Sequence, residues 1–245
     1  MNQQIIENLY EFWSYIGIKT GRLTETKGYK SVSMANSDWP NRIFSISNKQ
    51  ALLAEAIALS QAELLPNGIT MTKSNYLENN SDVQLLFRQR NMALDLQKID
   101  DNFNRCENIF QVKSKEDALL FAKIASEAFG YHVEGNTANL VNQDPLKIKI
   151  FNYIENDECL GCGIVYFDSF NTAGLHMIGT LPKGRGRGIG KKMTEKLLAE
   201  AIENGSKYCV LHASLMGESI YKKLGFIWYG ELETYSILKP KATSS

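Results

Sequence analysis

The sequence predicts an α/β fold in two halves, with the chemistry in the second. Helical stripes alternate with short runs of period-two hydrophobicity along all 245 residues, a pattern that neither an all-helical nor an all-strand fold produces. A polar, charged stretch, "KIDDNFNRCEN", separates two mixed segments near Asp100–Arg105, so domains of 1–105 and 106–245 are expected. A glycine-rich, basic turn, "LPKGRGRGIGKK", stands between a strand pattern and a helix pattern in the second half only. With 44% hydrophobic residues the chain can bury one large core or two small ones.

In the first half a helix is expected over Gln3–Tyr15, then strands at "KSVSMA" and "RIFSIS". Alanine and leucine spacing predicts a helix over Asn48–Leu64, stopped by "LPNG", and strands follow at "GITMTK" and "RNMALDL". Trp39-Pro40-Asn41-Arg42 is a conspicuous loop whose tryptophan either faces an acceptor site or, the favoured reading, is buried. In the second half "IFQVK" reads as a short strand. Ser114 and Asp117 suit a helix start; Ala118, Phe121, Ala122, Ala125 and Phe129 share one face, and Gly130 ends the helix. "LKIKIFNYI" and "GCGIVYF", joined by "ENDE", form a hairpin. "AGLHMIGTL" is a strand that runs into the glycine-rich turn. The helix after it carries Met193, Leu197, Leu198, Ala201 and Ile202 as one stripe and stops at Asn204-Gly205. A strand "KYCVLHA", a short helix "GESIYKKLG" and a last strand "TYSILK" close the order.

Lys plus Arg and Asp plus Glu both number 27. A protein that coats nucleic acid needs a basic excess, so no nucleic-acid partner is expected. The N-terminal stretch lacks a basic region followed by an apolar run, and nothing approaches the roughly 18 apolar residues of a membrane span. A cytoplasmic protein without a membrane partner is the expectation, and four scattered cysteines agree with it. Cys159 and Cys162 form a C-x-x-C, but no second pair exists for a zinc ribbon and the segment reads as a strand. They are expected as ordinary strand residues on opposite faces, with no metal site.

A glycine-rich turn at a helix N-terminus gathers backbone N–H groups on one point and suits an anion. The triphosphate loop G-x-x-x-x-G-K-[ST] fails: aligning Gly190-Lys191 puts Arg185 at the first glycine and Lys192 at the Ser/Thr. The dinucleotide fingerprint fails as well, because Ile189 stands where its third glycine belongs. R-x-x-G-x-G fits, with Arg185, Gly188 and Gly190. Between a strand and a helix, that motif resembles the pyrophosphate loop of the GNAT superfamily of coenzyme-A-dependent N-acetyltransferases. The flanks strengthen the resemblance: "IGTLP" precedes the loop with Pro182 in register, and "SIYKKLGF" is similar to the family's "LYEKLGF". The order of elements from about Cys106 to Pro240 also matches.

The resemblance implies a GNAT fold: a mixed, mostly antiparallel sheet flanked by helices, in an α+β arrangement. The first half, which lacks the motif, resembles the degenerate partner domain of tandem GNAT proteins and is not expected to bind coenzyme A. The implied co-substrate is acetyl-CoA, and the implied acceptor is a primary amine on a small molecule or a peptide. The amides of Arg185, Gly186, Arg187, Gly188, Ile189 and Gly190 would hold the pyrophosphate, with Lys183, Arg185 and Arg187 neutralising its remaining charge. Ile178, Gly179 and Thr180 would pair with the pantetheine arm and hold the thioester carbonyl. Ser214 stands where the family often has Asn, seven residues before Tyr221, and Thr180 replaces the usual valine. Tyr221 matches the family's general acid. His176, in "LHMIGT", resembles the histidine of the proton path in arylalkylamine N-acetyltransferases; His212 is a second candidate, and His132 lies in a loop with no fixed role. A non-catalytic acyl-CoA sensor or protein-interaction module is the alternative, and Tyr221 speaks against it, since a sensor needs no leaving-group acid.

Overall fold

A computed structural model describes residues 1–99, 103 and 106–240. The first half supplies α1 (Asn2–Thr20), β1 (Leu23–Glu25), β2 (Lys30–Val32), β3 (Arg42–Phe44), α2 (Gln50–Gln61), β4 (Gly68–Met71), α3 (Asn75–Glu78) and β5 (Val83–Asp95). The second supplies β6 (Ile109–Gln111), α4 (Lys115–Phe129), α5 (Gly135–Val141), β7 (Ile148–Glu155), β8 (Glu158–Phe167), β9 (Thr172–Thr180), α6 (Ile189–Glu203), β10 (Tyr208–Ala213), α7 (Glu218–Lys223) and β11 (Ile227–Ile237).

Among the described residues the strands form one sheet in the order β1-β2-β3-β4-β11-β5-β10-β9-β8-β7-β6. Only β3–β4 and β9–β10 are parallel, so the sheet is mixed and mostly antiparallel. The halves interleave. Strand β5, from the first half, lies between β10 and β11, pairing Leu94 with Cys209 on one side and Gln89 with Leu232 on the other. Strand β11 in turn reaches β4, with Glu233 opposite Met71. The expected boundary at Asp100–Arg105 falls outside the described residues, save Phe103. The sheet itself crosses from one half to the other without a break.

Two apolar layers cover the central strands. Helix α1 (Leu9, Phe12, Trp13, Ile16) and α4 (Ala118, Phe121, Ala122, Ala125) pack on one face, against Cys162, Ile164 and Tyr166 of β8. Helix α6 (Met193, Leu197, Leu198, Ala201) packs on the other face, against Val165 and Phe167. Helix α4 begins with a complete capping box: the Asp117 amide donates to Ser114 Oγ at 3.1 Å and the Ser114 amide donates to Asp117 Oδ2 at 3.0 Å. Such a cap contributes on the order of 1 kcal/mol. Gly130 closes the helix in the left-handed region, with φ 74°.

Three expectations need revision. Helix α1 runs on to Thr20 and the last strand starts at Ile227, since packing continues elements past the local signals. Helix α5 was not anticipated; it is seven residues long and opens on Gly135, too short to show a period. Cys159 and Cys162 do not point to opposite faces. The β7–β8 register slips between Tyr153 and Ile154, leaving Leu160 as an extra residue, and a bulge of this kind reverses the alternation. Both cysteines therefore enter the α1–α4 core, buried and unbonded to each other.

Candidate active site

The site begins where two parallel strands part. Pairing of β9 with β10 runs from Thr172–Tyr208 to Leu175–Leu211 and stops there, although β9 continues to Thr180. At the same point the β8–β9 register slips between Gly179 and His176. Met177 takes a left-handed φ of 52° there, a conformation that costs a non-glycine residue about 1 kcal/mol or more. The bulge turns Ile178, Gly179 and Thr180 away from β10 and leaves their edge open to a ligand strand. Gly179 also sits tight under α4: a Cβ there would stand 2.9 Å from Ala128 Cβ.

Beyond Thr180 the chain makes a single 3₁₀ turn (Pro182–Gly184) and enters the glycine loop. Gly186 and Gly188 have φ of 77° and 74°, with nothing within 4 Å of where a Cβ would stand. Only glycine adopts these conformations without strain. Helix α6 starts at Ile189 with no side-chain cap, and the first bond back into the helix is from the Lys192 amide to Gly188 O at 3.0 Å. The amides of Ile189, Gly190 and Lys191 accordingly have no acceptor among the described residues. They face a cavity of about 610 Å³ bounded by Ile178, Gly179, Thr180, the loop, and Ser214, Ile220 and Tyr221 opposite.

Two of the three loop cations are already engaged. Lys183 is ion-paired with Glu158 and Arg187 with Glu155, both acids of the β7–β8 hairpin. Arg185 is exposed and forms no ion pair among the described residues. Of the expected phosphate cations, it alone is uncommitted.

A second cavity, of about 340 Å³, opens on the other side of the same strand edges. Phe129, Ile178, Ser214 and Tyr221 line both, so the two spaces meet at Tyr221. The first half builds much of this second wall: Phe12 and Trp13 from α1, Trp39, Arg42, and Phe87 and Gln89 from β5. Trp39 is buried as expected and lines the cavity as well.

Tyr221 sits on α7 with its ring edge-on to Phe226, centroids 5.9 Å apart. Burial pushes its phenol up to about 12, and its hydroxyl has no hydrogen-bond partner among the described residues. Ser214 stands just before α7, where its Oγ accepts from the Gly217 amide at 3.2 Å and helps start that helix.

His176 is buried, stacked on Phe12 at 4.3 Å between centroids. Its Nε2 lies 3.2 Å from Asn8 Oδ1. Asn8 is oriented by its own Nδ2, which donates to Asp168 Oδ2 at 3.0 Å and to Thr172 O at 3.3 Å. With Oδ1 an acceptor, Nε2 must carry the proton and Nδ1 keeps its lone pair. Burial, reinforced by His212, holds the imidazole well below its ordinary 6.5, so it is neutral near pH 7. His212 follows the same logic: Nδ1 faces Asn91 Oδ1 at 2.8 Å, Nε2 is buried without a partner, and burial lowers its pKa to about 4. Both histidines line the second cavity, whereas His132 is exposed at a different depression beside α4. Asn8 and Asn91 escaped sequence reasoning, because nothing near them in the chain marks them, and in the conspicuous Trp39–Arg42 loop attention fell on the tryptophan and not on Arg42.

Residues 147–227 match the family model of the acetyltransferase (GNAT) domain. Over that segment, about a third of its length, the chain is similar to a GNAT acetyltransferase domain. The match spans the parted strands, the glycine loop, α6 and Tyr221. Solved GNAT structures extend the likeness over the first half. A GNAT-family protein from Novosphingobium aromaticivorans aligns with TM-score 0.64 at 13% identity, covering 94% of this chain and 96% of that one. A GCN5-related N-acetyltransferase from Kribbella flavida gives 0.64 at 14%, covering 91% and 95%. Another from Sphaerobacter thermophilus gives 0.61 at 14%, covering 81% and 73%. No curated protein matches the chain by sequence. At these identities the likeness establishes the fold, and the GNAT chemistry, acyl transfer, rests on the domain match. Among the described residues no group of three His, Cys, Asp or Glu is placed to hold a metal, and no helix is long and apolar enough to cross a membrane.

Proposed function

We propose that this chain transfers the acetyl group of acetyl-CoA to an amine. The observation that carries the reading is the meeting of two cavities at Tyr221, one bounded by an anion-seeking loop and one by aromatic side chains. The loop suits a diphosphate on its own terms: three amides without acceptors, two left-handed glycines with open space beside them, and one uncommitted arginine. The open edge of Ile178, Gly179 and Thr180 would hold the extended arm of the co-substrate by backbone hydrogen bonds, as a strand is held. A backbone amide of that edge aimed at the thioester oxygen would favour the charge that develops there. Ser214 would add one hydrogen bond from its O–H.

Tyr221 serves as the acid. Its raised pKa keeps it protonated across the neutral range, and its hydroxyl is committed to nothing else until a thiolate needs the proton. His176 serves as the proton acceptor for the amine through Nδ1, the tautomer being held by Asn8. Its depressed basicity suits a group that passes a proton onward and does not hold it. His212, whose Nε2 is without a partner among the described residues, lines the same cavity and would be the next acceptor. A panel of amines assayed for free thiol released from acetyl-CoA tests the reading. Amine-dependent thiol release is the expected result, and bound acetyl-CoA with no release for any amine would favour a sensor.

A further inference from the structure

Arg42 is the odd group in the acceptor cavity. It stands at the start of β3, partly buried, beside Trp39, and its guanidinium lies 6.0 Å from the centre of the Phe87 ring. It forms no ion pair and no hydrogen bond among the described residues. Burial lowers its pKa, with Tyr131 opposing, as expected of a cation withdrawn from water without a counterion. Such a charge is costly unless something pairs with it. No Asp or Glu lines the cavity; its walls are mostly aromatic and aliphatic, with Gln89, Ser214, Thr234, the tyrosines Tyr131 and Tyr221 and the two histidines as the other polar side chains.

This composition separates acceptor classes. A polyamine or aminoglycoside brings several ammonium groups and needs carboxylates to receive them; here it would meet an unpaired guanidinium. A protein lysine needs an open groove, whereas this cavity has the volume of a small-molecule site. We propose that the acceptor is a small amino carboxylate with an apolar or aromatic body, its carboxylate held by Arg42 and its amine presented toward Tyr221 and His176. The proposal rests on the acetyltransferase reading and adds the acceptor class to it. The guanidinium fork matches a carboxylate with two parallel N–H···O bonds, a geometry that lysine cannot reproduce. In this arrangement the first half of the chain selects the substrate, while the GNAT-matched segment carries the co-substrate loop.

Calorimetric titration of the full chain, in the presence of coenzyme A, tests this with 3-phenylpropanoate and 2-phenylethylamine as probes of equal girth. The carboxylate should bind and the amine should bind more weakly. Arg42→Gln should weaken the carboxylate about 30-fold or more and should strengthen the amine or leave it no weaker, while Arg42→Lys should recover only part of the carboxylate loss. Circular dichroism and coenzyme A affinity report whether each variant is folded. Should a variant fail to fold, the comparison of the two probes on the natural chain still decides. Tighter binding of the amine than of the carboxylate by the natural chain, no binding of the carboxylate, or equal carboxylate affinity in a folded Arg42→Gln would each overturn the proposal. Failure of coenzyme A itself to bind would instead remove the reading beneath it.

Discussion

Tyr221 shows how a single side chain can be examined apart from its fold. Its ring packs on Phe226, but its hydroxyl touches no protein acceptor among the described residues. Tyr221→Phe should therefore melt like the natural chain and bind acetyl-CoA with unchanged affinity. Turnover should fall about 10²–10⁴-fold, roughly 3–5 kcal/mol of barrier. Near-normal turnover would take Tyr221 out of the mechanism. The histidines make a separate prediction about acid. His212 titrates near 4 when folded against 6.5 in the unfolded chain, so between those values the unfolded state binds more protons. The stability this neutral imidazole permits is present above pH 6.5 and is lost as pH falls through the window. Between about pH 7.5 and 5 the loss amounts to about 2 kcal/mol. Denaturation at the two pH values should show that loss in the natural chain and a smaller one in His212→Gln. Equal losses would mean that His212 is solvated.

At the scale of elements, what the sequence disclosed depended on how local the cause was. The capping box at Ser114, the Gly130 stop, the β7–β8 hairpin and the R-x-x-G-x-G loop each rest on residues within a turn or two of one another, and all are found where expected. The features missed are made by distance in the chain. Asn8 reaches His176 across 168 residues, and no periodicity announces such a contact. The bulge at Leu160 that brings Cys159 and Cys162 to one face comes from register with β7, not from their own spacing. Strand β5 was legible as "RNMALDL", but its place between β10 and β11 was not, because those partners come only after β6 to β9 in the chain. A consequence can be measured. Residues 106–245 expressed alone lack the strand that fills the gap between β10 and β11, and both would present unpaired edges. The fragment should be insoluble or melt without cooperativity; a soluble, cooperatively melting fragment would contradict the role given to β5.

For the molecule as a whole, the two halves divide the work across one sheet. The second half holds the open β9 edge, the glycine loop and Tyr221, proposed as the co-substrate side, while α1, the Trp39–Arg42 segment and β5 wall the second cavity, proposed as the acceptor side. A second co-substrate site is not expected, since the described residues of the first half include no left-handed glycine pair at a helix start. The most direct test of the account is calorimetric titration of acetyl-CoA into the natural chain and into Gly188→Val. Valine cannot take the φ of 74° at the start of α6 without strain, so the three free amides would lose their convergence. The account predicts one acetyl-CoA per chain, bound at least tenfold more weakly by the variant, about 1.4 kcal/mol. Two equivalent sites, or an affinity that Gly188→Val leaves unchanged, would contradict it.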